Sequence, residues 1–431
     1  KPITYGNLDL FHKQDFLYTV SLRGLENKVP TVKSRIVSSI SDAVDAYEDY
    51  EKYMSYAKLD SLRFIVSNTT EAGIVYDDTD RFEDMPPKTY PGKLTKFLYE
   101  RYKYFEGDLG KGLILLPCEL IENNGKNLKE CVIKFSEKWN LGKDFISWVE
   151  DSCVFCNTLV DRIITGYPRS EANDMWNEMG YQDELIVTGE LFGLWVIESG
   201  KDISGEFPLD KAGLPVLFTN NLKPYRERKV RILNGAHTCL AAASFLSGND
   251  TVKESMDDEL IKKYVLKAVF DEIMPTLSLP EKELRDFARK VIERFENPFI
   301  RHALLSISLN SVSKWKTRCL PSFKEYYKMN GKLPPCLTFS LAALISLYRG
   351  RMKDGEGLTG YRGNHEYKIM DEDKVMMFFD GSEEKDNRSL AGEFLKNEDF
   401  LGEDMTGYPK LTDTVAKHLE TIQRLGMRKA L

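Results

Sequence analysis

The chain has 431 residues, of which 42% are hydrophobic and 29% charged, a composition typical of a globular protein with two or three domains. Its formal net charge of -7 argues against a nucleic-acid-binding surface, because phosphate binding requires basic charge. The longest apolar run, residues 337–348, is too short to span a bilayer and predicts a buried helix.

The N-terminal segment and the cysteines indicate a cytoplasmic protein. The opening KPITYGNLDLFHKQD lacks the basic and then apolar order of a signal peptide. Seven scattered cysteines, an odd number, are typical of a reducing compartment. Cys153 and Cys156 form a CxxC, for which redox chemistry is an alternative to coincidence. With five histidines and no second cysteine pair at zinc-knuckle spacing, we expect no protein-built metal site.

The first half of the chain alternates short apolar runs with segments of helical spacing. Predicted strands are residues 62–67 (LRFIVS), 112–117 (GLILLP), 184–188, 193–198 and 215–218, and predicted helices are 95–104 and 128–139. Apolar strands between helices are typical of a mostly parallel sheet. Because ligands bind beyond the carboxyl ends of such strands, segments 68–73 and 118–125 are expected to line a site.

The second half is predicted to be helical. The helical segments are residues 256–274, 282–295, 303–309 and 335–348, and Asp257 is a plausible cap of the first. Residues 353–364, rich in glycine and charge, predict a loop. We place the domain boundary near residue 222, which gives a sheet domain over 1–222 and a helical domain over 223–431.

The stretch KPYRERKVRILNGAHTCL, residues 223–240, carries the most chemical information. On an α-helix, Lys229, Asn234 and His237 would lie at about 0°, 140° and 80° around the axis. An amine, an amide and an imidazole could then face a common point. From spacing alone, the favoured interpretation is a surface lysine, an asparagine near a kink at Gly235 and a buried histidine.

The pattern K-x4-N-G-x-H in this stretch resembles the catalytic signature of the long-chain polyol (mannitol) dehydrogenase family. The segments FIVSNTTEAGI, LPCELIENNG, FCNTLVDRIITGYPR, KPYRERKVRILNGAH and GMRKAL resemble its tagaturonate reductase (altronate oxidoreductase) subgroup, in order and through nearly the whole chain. The resemblance implies an α/β protein, with a Rossmann-like, mostly parallel sheet domain followed by an all-α domain. It also implies an oxidoreductase that uses NAD, without a metal, to interconvert tagaturonate and altronate.

The resemblance assigns roles to four residues near the reacting carbon. It implies that Lys229 is the general acid and base, that Asn234 and Asn124 hold the reacting oxygen, and that His237 orients the substrate. Lysine needs desolvation or neighbouring cations to act as a base near neutral pH. Four cations close in sequence are candidates for that effect: Lys223, Arg226, Arg228 and Arg231.

Further positions follow from the resemblance with alternatives left open. The expected cofactor-binding residues are Ser67, Asn68, Thr69, Glu71 and Asn124. Glu71 fits equally an exposed loop carboxylate. Asp161 matches a family position near the substrate, but an ion pair with Arg162 is the favoured alternative.

A uronate substrate carries a carboxylate, which calls for an arginine or lysine partner. In SLNSVSKWKTRCLP, Ser313 and Lys314 match a family motif that faces the site, and Arg318 fits the uronate-type subgroup. We expect Lys314 first and Arg318 second as the carboxylate partner. A pair between Arg318 and a surface acid is the alternative.

The sequence departs from the family at the nucleotide-binding turn. No Gly-rich turn precedes a helix, and the family's version would lie before the first residue, so we expect the first strand and its turn upstream. The choice of NAD over NADP therefore depends on the subgroup resemblance alone.

Three other functions remain open from the sequence. A fructuronate reductase or mannitol-type polyol dehydrogenase would differ in the carboxylate pocket. A non-catalytic binding protein could use the same fold, and a helical scaffold is a third possibility that the set of Lys229, Asn234 and His237 argues against. The expected partner is a small sugar acid, with no nucleic acid and no membrane.

Overall fold

The structure is a computed structural model and describes residues 8–70, 72–353 and 357–431. The chain divides into two compact units. The first comprises residues up to Arg23 together with Thr31–Leu222, and the second comprises Gly24–Pro30 and Lys223–Leu431.

The first unit mixes short strands with helices. Its strands, of which the first two also include residues of the segment Gly24–Pro30, are β1 (Tyr18–Glu26), β2 (Val29–Val37), β3 (Phe64–Ser67), β4 (Ile114–Pro117), β5 (Val154–Phe155), β6 (Asn157–Asp161), β7 (Ile164–Gly166), β8 (Val187–Glu190), β9 (Leu194–Glu198) and β10 (Val216–Thr219). Its helices are α1 (Leu8–Lys13), α2 (Tyr50–Ser55), α3 (Tyr90–Tyr104), α4 (Asn124–Lys138), α5 (Lys143–Ser152) and α6 (Ala172–Met179), with 3₁₀ turns at Tyr56–Lys58 and Leu109–Lys111.

Parallel pairing dominates where the sequence predicted it. Strands β3, β4 and β5 form one parallel sheet, in which Ser67 lies opposite Pro117. A second sheet has the order β10-β9-β6, parallel between β10 and β9 and antiparallel between β9 and β6. The third has the order β2-β1-β8-β7, with β1 and β8 parallel. The carboxyl ends of β3 and β4 therefore share one edge, as expected.

Strand β4 is buried on both faces. Because successive side chains of a strand point to opposite faces, its residues pack against two different sets of neighbours. Leu113 and Leu115 pack with helices α3, α4 and α5. Ile114 and Leu116 point the other way, toward Ile197 of β9. A continuous apolar run such as GLILLP is the expected sequence of a strand covered on both sides.

One buried arginine ties the loops before these strands. Arg101 of α3 is fully buried and donates to the carbonyls of Lys111, Ala57, Leu59 and Leu62 at 2.6–3.1 Å. Its bonds hold the segments that enter β3 and β4, so the edge formed by their ends has a fixed scaffold.

The second unit is helical with one small sheet. Its helices are α7 (Lys223–Arg228), α8 (Gly235–Leu246), α9 (Val252–Asp257), α10 (Glu259–Lys267), α11 (Glu281–Phe295), α12 (Leu304–Ile307), α13 (Ser311–Arg318), α14 (Leu320–Asn330), α15 (Pro335–Tyr348), α16 (Asp373–Phe379), α17 (Asn387–Lys396), α18 (Glu398–Leu401), α19 (Leu411–Leu425) and α20 (Met427–Ala430). Two π-helices lie at Lys229–Asn234 and Ala268–Ile273, and 3₁₀ turns lie at Met274–Thr276, Ser382–Glu384 and Met405–Gly407.

The core of this unit surrounds α15, which packs against α8 and α19. Nearly every residue of α15 is buried, which explains why its sequence is apolar around the whole helix. Its bounds are those predicted from the sequence. In the described ranges, no helix combines the length and the apolar character needed to cross a membrane.

Two features of the second unit differ from the sequence analysis. The predicted helix 256–274 is broken at Asp258, whose carboxylate, rather than that of Asp257, caps α10 by accepting from the N–H groups of Leu260 and Ile261. Within residues 351–369, a three-stranded antiparallel sheet of β11 (Arg351–Met352), β12 (Leu358–Arg362) and β13 (His365–Ile369) occurs in a half that was expected to be entirely helical. Gly363, at φ +62°, makes the tight turn between β12 and β13.

Candidate active site

The helical stretch at the start of the second unit contains a π-turn. Helices α7 and α8 are joined by the π-helix Lys229–Asn234 with helical backbone throughout, and the N–H of Gly235 reaches back five residues to the carbonyl of Val230. Bonding between residues five apart brings Lys229 and Asn234 close to one side, instead of about 140° apart on an ideal α-helix. His237, three residues beyond Asn234, continues that face.

Gly235 lies close to the main chain of another helix. A Cβ atom at this position would lie 3.1 Å from the carbonyl oxygen of Arg318, at the end of α13. The thiol of Cys319 also donates to the carbonyl of Gly235, at 3.6 Å. The glycine of the N-G pair therefore allows α13 to approach the π-turn, which brings Arg318 near His237.

Two of the four cations proposed to surround Lys229 are buried. Lys229 itself is half-buried. Arg228 pairs with Glu283 at 2.6 Å and lies over the ring of Phe287. Arg231 donates to hydroxyl groups on two other segments, those of Ser322 at 2.8 Å and Thr276 at 2.5 Å.

The other two cations lie nearer the surface. Lys223 is exposed and stands 4.0 Å from Glu227, whereas Arg226 is half-buried. The buried cations next to Lys229 in the chain are therefore Arg228 and Arg231.

His237 is enclosed by rings. It stacks on Phe295 with ring centroids 4.2 Å apart and meets His302 nearly at a right angle at 5.3 Å. Its Nε2 atom is buried and has no hydrogen-bond partner among the described residues. Burial first, then the charges of His302, Arg294 and Arg318, lower the pKa of His237 well below its ordinary value. The ring is therefore neutral at neutral pH, with Nε2 available to a ligand.

The expected carboxylate partners lie in the same neighbourhood. The guanidinium of Arg318 approaches the hydroxyl of Thr238, next to His237, at 3.5 Å. Lys314 donates one N–H to the carbonyl of Ile307 at 3.0 Å, and its pKa is lowered by burial and then by the charge of Arg318. The structure thus brings His237, Lys314 and Arg318 together within the second unit. Ser313, which donates to the carbonyl of Asn310, flanks Lys314 on α13.

In the first unit, the ends of β3 and β4 are held by a carboxylate that the sequence analysis missed. Glu119 is 2% exposed and accepts hydrogen bonds from the hydroxyls of Ser67 and Thr69 and from the N–H of Thr69. Asn68 and Thr69 are exposed at this edge, and Ser67 is buried. Glu71 lies outside the described residues. An acid two residues after a buried strand, in LPCE, was the signal that could have revealed Glu119.

Asn124 is engaged by the main chain. Its amide nitrogen donates to the carbonyls of Pro117, Glu119 and Thr158 at 2.9–3.1 Å, and its amide oxygen accepts from the N–H groups of Gly125 and Thr158. An amide has two N–H groups, so both are already used. This bonding ties the end of β4 to β6 and does not support the expected donation from Asn124 to a substrate oxygen.

Asp161 is buried at the end of β6 in the first unit, where it pairs in the ladder with Leu194. Its neighbour Arg162 directs its guanidinium to the carbonyls of Phe192 and Leu191, at 2.8 and 3.5 Å. Asp161 is thus part of a different unit from Lys314 and Arg318, and its role toward a substrate stays a prediction.

The CxxC motif has the properties of a packing element. Cys153 and Cys156 are free and buried, and burial raises the pKa of each thiol to about 11. Reactive cysteines have lowered pKa values, so this pair is not poised for redox chemistry. In the part of the chain that the structure describes, no group of three or more His, Cys, Asp or Glu side chains is placed to hold a metal.

Two family models together match nearly the whole chain. Residues 4–211 match the mannitol dehydrogenase Rossmann domain, and residues 221–423 match the mannitol dehydrogenase C-terminal domain. The chain is also 43% identical to altronate oxidoreductases of Yersinia enterocolitica, Bacteroides thetaiotaomicron and Bacillus subtilis. These alignments cover 97–99% of this chain and 85–88% of the relatives.

Solved structures support the fold. Mannitol 2-dehydrogenase of Pseudomonas fluorescens, solved as a ternary complex with NAD and D-mannitol, matches with a TM-score of 0.66 at 22% identity, covering 98% of this chain and 84% of that one. A D-sorbitol dehydrogenase in substrate-free form matches with a TM-score of 0.81 at 20% identity, covering 98% and 85%. At these identities the likeness establishes the two-domain fold, a Rossmann-like domain followed by a helical one.

Proposed function

From the premise that this chain belongs to the mannitol dehydrogenase family, we propose that it interconverts D-tagaturonate and D-altronate with NAD(H). Membership makes it a dehydrogenase that acts on a CH–OH group. The relatives named altronate oxidoreductase support the choice of substrate. The observation that carries the proposal is the helix with a π-turn that contains Lys229, Asn234 and His237, with Arg318 beside the imidazole and Lys314 beside Arg318.

The first unit offers groups that fit part of a nicotinamide cofactor. Dinucleotides bind beyond the carboxyl ends of parallel strands, and β3 and β4 end side by side. Exposed Asn68 and Thr69 stand at that edge on a loop that buried Glu119 holds in place. When bound, the cofactor supplies or accepts the hydride.

Lys229 is the residue that we assign to proton transfer at the substrate oxygen. In the oxidation direction its neutral amine accepts the hydroxyl proton, and in the reduction direction its ammonium returns it. An amine does this near neutral pH only when it loses hydration or lies beside other cations. Half burial, next in the chain to buried Arg228, fits that requirement.

Asn234 and His237 position the same oxygen and its neighbours. Negative charge builds on the carbonyl oxygen as hydride reaches carbon, so a fixed amide N–H from Asn234 stabilises the transition state. His237 is neutral, and its Nε2 has no partner among the residues that the structure describes, so it can bind an adjacent hydroxyl without adding charge. Lys314 and Arg318 then receive the carboxylate of the sugar acid.

A substrate panel tests this proposal on the full-length protein. The oxidation of NADH and of NADPH would be followed with tagaturonate, fructuronate and fructose. We expect the highest kcat/KM with tagaturonate and NADH. A preference for fructuronate or fructose would overturn the assigned substrate, and inactivity with all three would favour a non-catalytic binding protein.

A further inference from the structure

His302 occupies a fixed place beside the imidazole of His237. The loop between α11 and α12 pairs with the segment before α9. The carbonyl of His302 accepts the N–H of Val252 at 3.0 Å, and the N–H of Leu304 donates to the carbonyl of Asp250 at 2.9 Å. Between them, Ala303 and Thr251 form an antiparallel bridge. The backbone on both sides of His302 is thus held, and its ring has a defined position.

The imidazoles of His237 and His302 form a pair in which Nε2 of His237 can still bind a ligand. The rings of His237 and His302 meet nearly at a right angle, 5.3 Å apart, while Phe295 stacks on His237. Buried polar atoms are almost always hydrogen-bonded, and the buried Nε2 of His237 has no partner among the described residues. A polar ligand in this place would satisfy it.

The surroundings of the pair are positively charged. Lys314 lies near enough to His302 to lower its pKa, after the larger effect of burial. Arg294 and Arg318 act on His237 in the same direction. Asp371 is the acid that acts on Lys314, and its carboxylate already accepts from the hydroxyl of Tyr348 at 2.5 Å and from the N–H of Val312 at 3.4 Å.

Two neutral imidazoles among cations favour a ligand with a carboxylate next to hydroxyl groups. A carboxylate neutralises the cations, and each imidazole can donate one hydrogen bond and accept another. A neutral ketose carries no charge that could neutralise Lys314.

We propose that His302 binds substrate and, with Lys314, receives the carboxylate end of a sugar acid, so that it separates sugar acids from neutral ketoses. This inference rests on the proposed function and adds to it a specificity residue. His302 acts next to the pair of Lys314 and Arg318 that the sequence predicted.

Two substitutions of His302 distinguish its hydrogen bonding to the substrate from its packing against His237. His302→Phe keeps a ring beside His237 and removes the N–H, and His302→Gln keeps a donor and removes the ring. His365→Gln, at the exposed first residue of β13, is the matched control. For His302→Phe we expect the KM for tagaturonate to rise about ten- to a hundredfold, the effect of one hydrogen bond to a charged group, with kcat little changed. His302→Gln should recover part of the loss, and kcat/KM for fructose should stay as in the parent.

Equal losses of His302→Phe on tagaturonate and fructose would overturn the proposal, because they would indicate a packing role alone. An unchanged KM for tagaturonate would overturn it as well. The control should behave as the parent protein with both substrates.

A binding measurement distinguishes this inference from the proposed function. In full-length protein with labelled histidines and NADH present, altronate should shift the NMR signals of His302, assigned by their loss in His302→Gln, and neutral altritol should not. If tagaturonate is not reduced but altronate still shifts these signals, the proposed reaction is wrong and the carboxylate site stands. If tagaturonate is reduced and the signals do not move, the role of His302 is wrong.

Discussion

The hydrogen bonds of individual side chains indicate which of the roles expected from the sequence are compatible with the structure. Asn124 was expected to hold a substrate oxygen, but its amide is saturated by five main-chain bonds around the end of β4. His237, by contrast, keeps a buried nitrogen for which the described protein groups offer no partner. The bonding state of each residue therefore indicates whether it is part of the scaffold or open to a ligand.

Asn124→Asp tests the scaffold role. A carboxylate at this position would face the carbonyls of Pro117, Glu119 and Thr158 and would lose both N–H donors. We expect the free energy of unfolding to fall by about 2–4 kcal/mol, in the range for a buried group left without its partners. Urea denaturation measures this change. Asn177→Asp, on the exposed face of α6, should change stability little, and a similarly small effect at Asn124 would show that its amide bonds matter little.

At the scale of single residues, the sequence patterns identified candidate residues but did not predict the contacts that those residues make. The spacing of Lys229, Asn234 and His237 identified the helix, but no periodicity predicts a π-turn that shifts Lys229 toward Asn234. Glu119 and His302 were missed because each acts through a partner distant in sequence: Ser67 and Thr69 for Glu119, and His237 for His302. Such pairings depend on tertiary packing, which single-residue patterns do not encode.

At the scale of elements, the π-turn and the close approach of α13 depend on Gly235. Gly235→Ala would normally stabilise a helix by about 0.5–1 kcal/mol. Here the added methyl group meets the carbonyl of Arg318 at 3.1 Å, so the end of α13 must shift. We expect no gain in stability and a higher KM for tagaturonate, because Arg318 moves with its main chain.

A second helical glycine provides the control for that substitution. Gly392→Ala in α17 would place its methyl group 3.7 Å from Thr412, an ordinary contact. It should raise the unfolding free energy by about 0.5–1 kcal/mol and leave KM unchanged. Thermal unfolding and steady-state kinetics measure both. If Gly235→Ala gains as much stability as Gly392→Ala and keeps its KM, α13 does not constrain the turn.

Another element depends on a buried acid. Glu272, in the second π-helix, is 1% exposed and accepts the N–H groups of Cys336 and Leu337 at the start of α15, at 2.7 and 2.9 Å. It caps a helix from another segment, which satisfies N–H groups that α15 cannot pair itself. We expect Glu272→Ala to cost about 1–3 kcal/mol of unfolding free energy and Glu272→Gln, which keeps one acceptor, to cost less.

The pH dependence of the unfolding free energy, compared between the parent protein and Glu272→Gln, independently tests the role of Glu272. Burial is the main reason that the pKa of Glu272 is raised above 4.5. The folded state therefore holds this proton more tightly than the unfolded state, and its contribution to stability falls as pH rises above about 4.5. Glu272→Gln lacks this proton, so its deficit in urea denaturation should shrink as pH rises from 4.5. A deficit that grows with pH would contradict the raised pKa.

Helices and strands that have a clear apolar pattern in the sequence were predicted well. Elements that depend on contacts between distant parts of the chain were not. The apolar runs of β3 and β4 and the helix α15 were found nearly at their observed bounds. The hairpin β12–β13 was missed, because its strands are short and the first of them lies in the glycine-rich segment 353–364, which was predicted as a loop. The segment 256–274 was predicted as one helix, since periodicity continues across the break at Asp258.

At the scale of the whole molecule, the reactivity of the cysteines indicates how well both units are packed. All seven are free and buried, and burial raises the pKa of thiols in both units, to about 11 for Cys118 and about 12 for Cys319. We expect a thiol reagent to react slowly with the native protein at neutral pH and to label seven thiols in urea. Rapid labelling of Cys153 or Cys156 in the native state, identified by peptide mapping, would restore the redox interpretation of the CxxC.

The architecture of the whole chain could be predicted because its two halves differ in pattern. Apolar strands between helices fill the first half and continuous helical periodicity fills the second, and apart from Gly24–Pro30 the chain passes from the first unit to the second after Leu222. The chemistry could be predicted only through resemblance, because spacing alone does not distinguish a base from a surface lysine. The substrate requires a measurement, since epimers differ at one carbon.

The proton-transfer role of Lys229 is the central claim, and one substitution tests it most directly. Lys229→Ala in the full-length protein should lower kcat for tagaturonate reduction by about 10²–10⁴-fold, the usual contribution of a general acid or base, with NADH binding and circular dichroism unchanged. Added methylamine should restore part of the rate. A variant that folds normally and turns over tagaturonate at close to the parent rate would contradict the account.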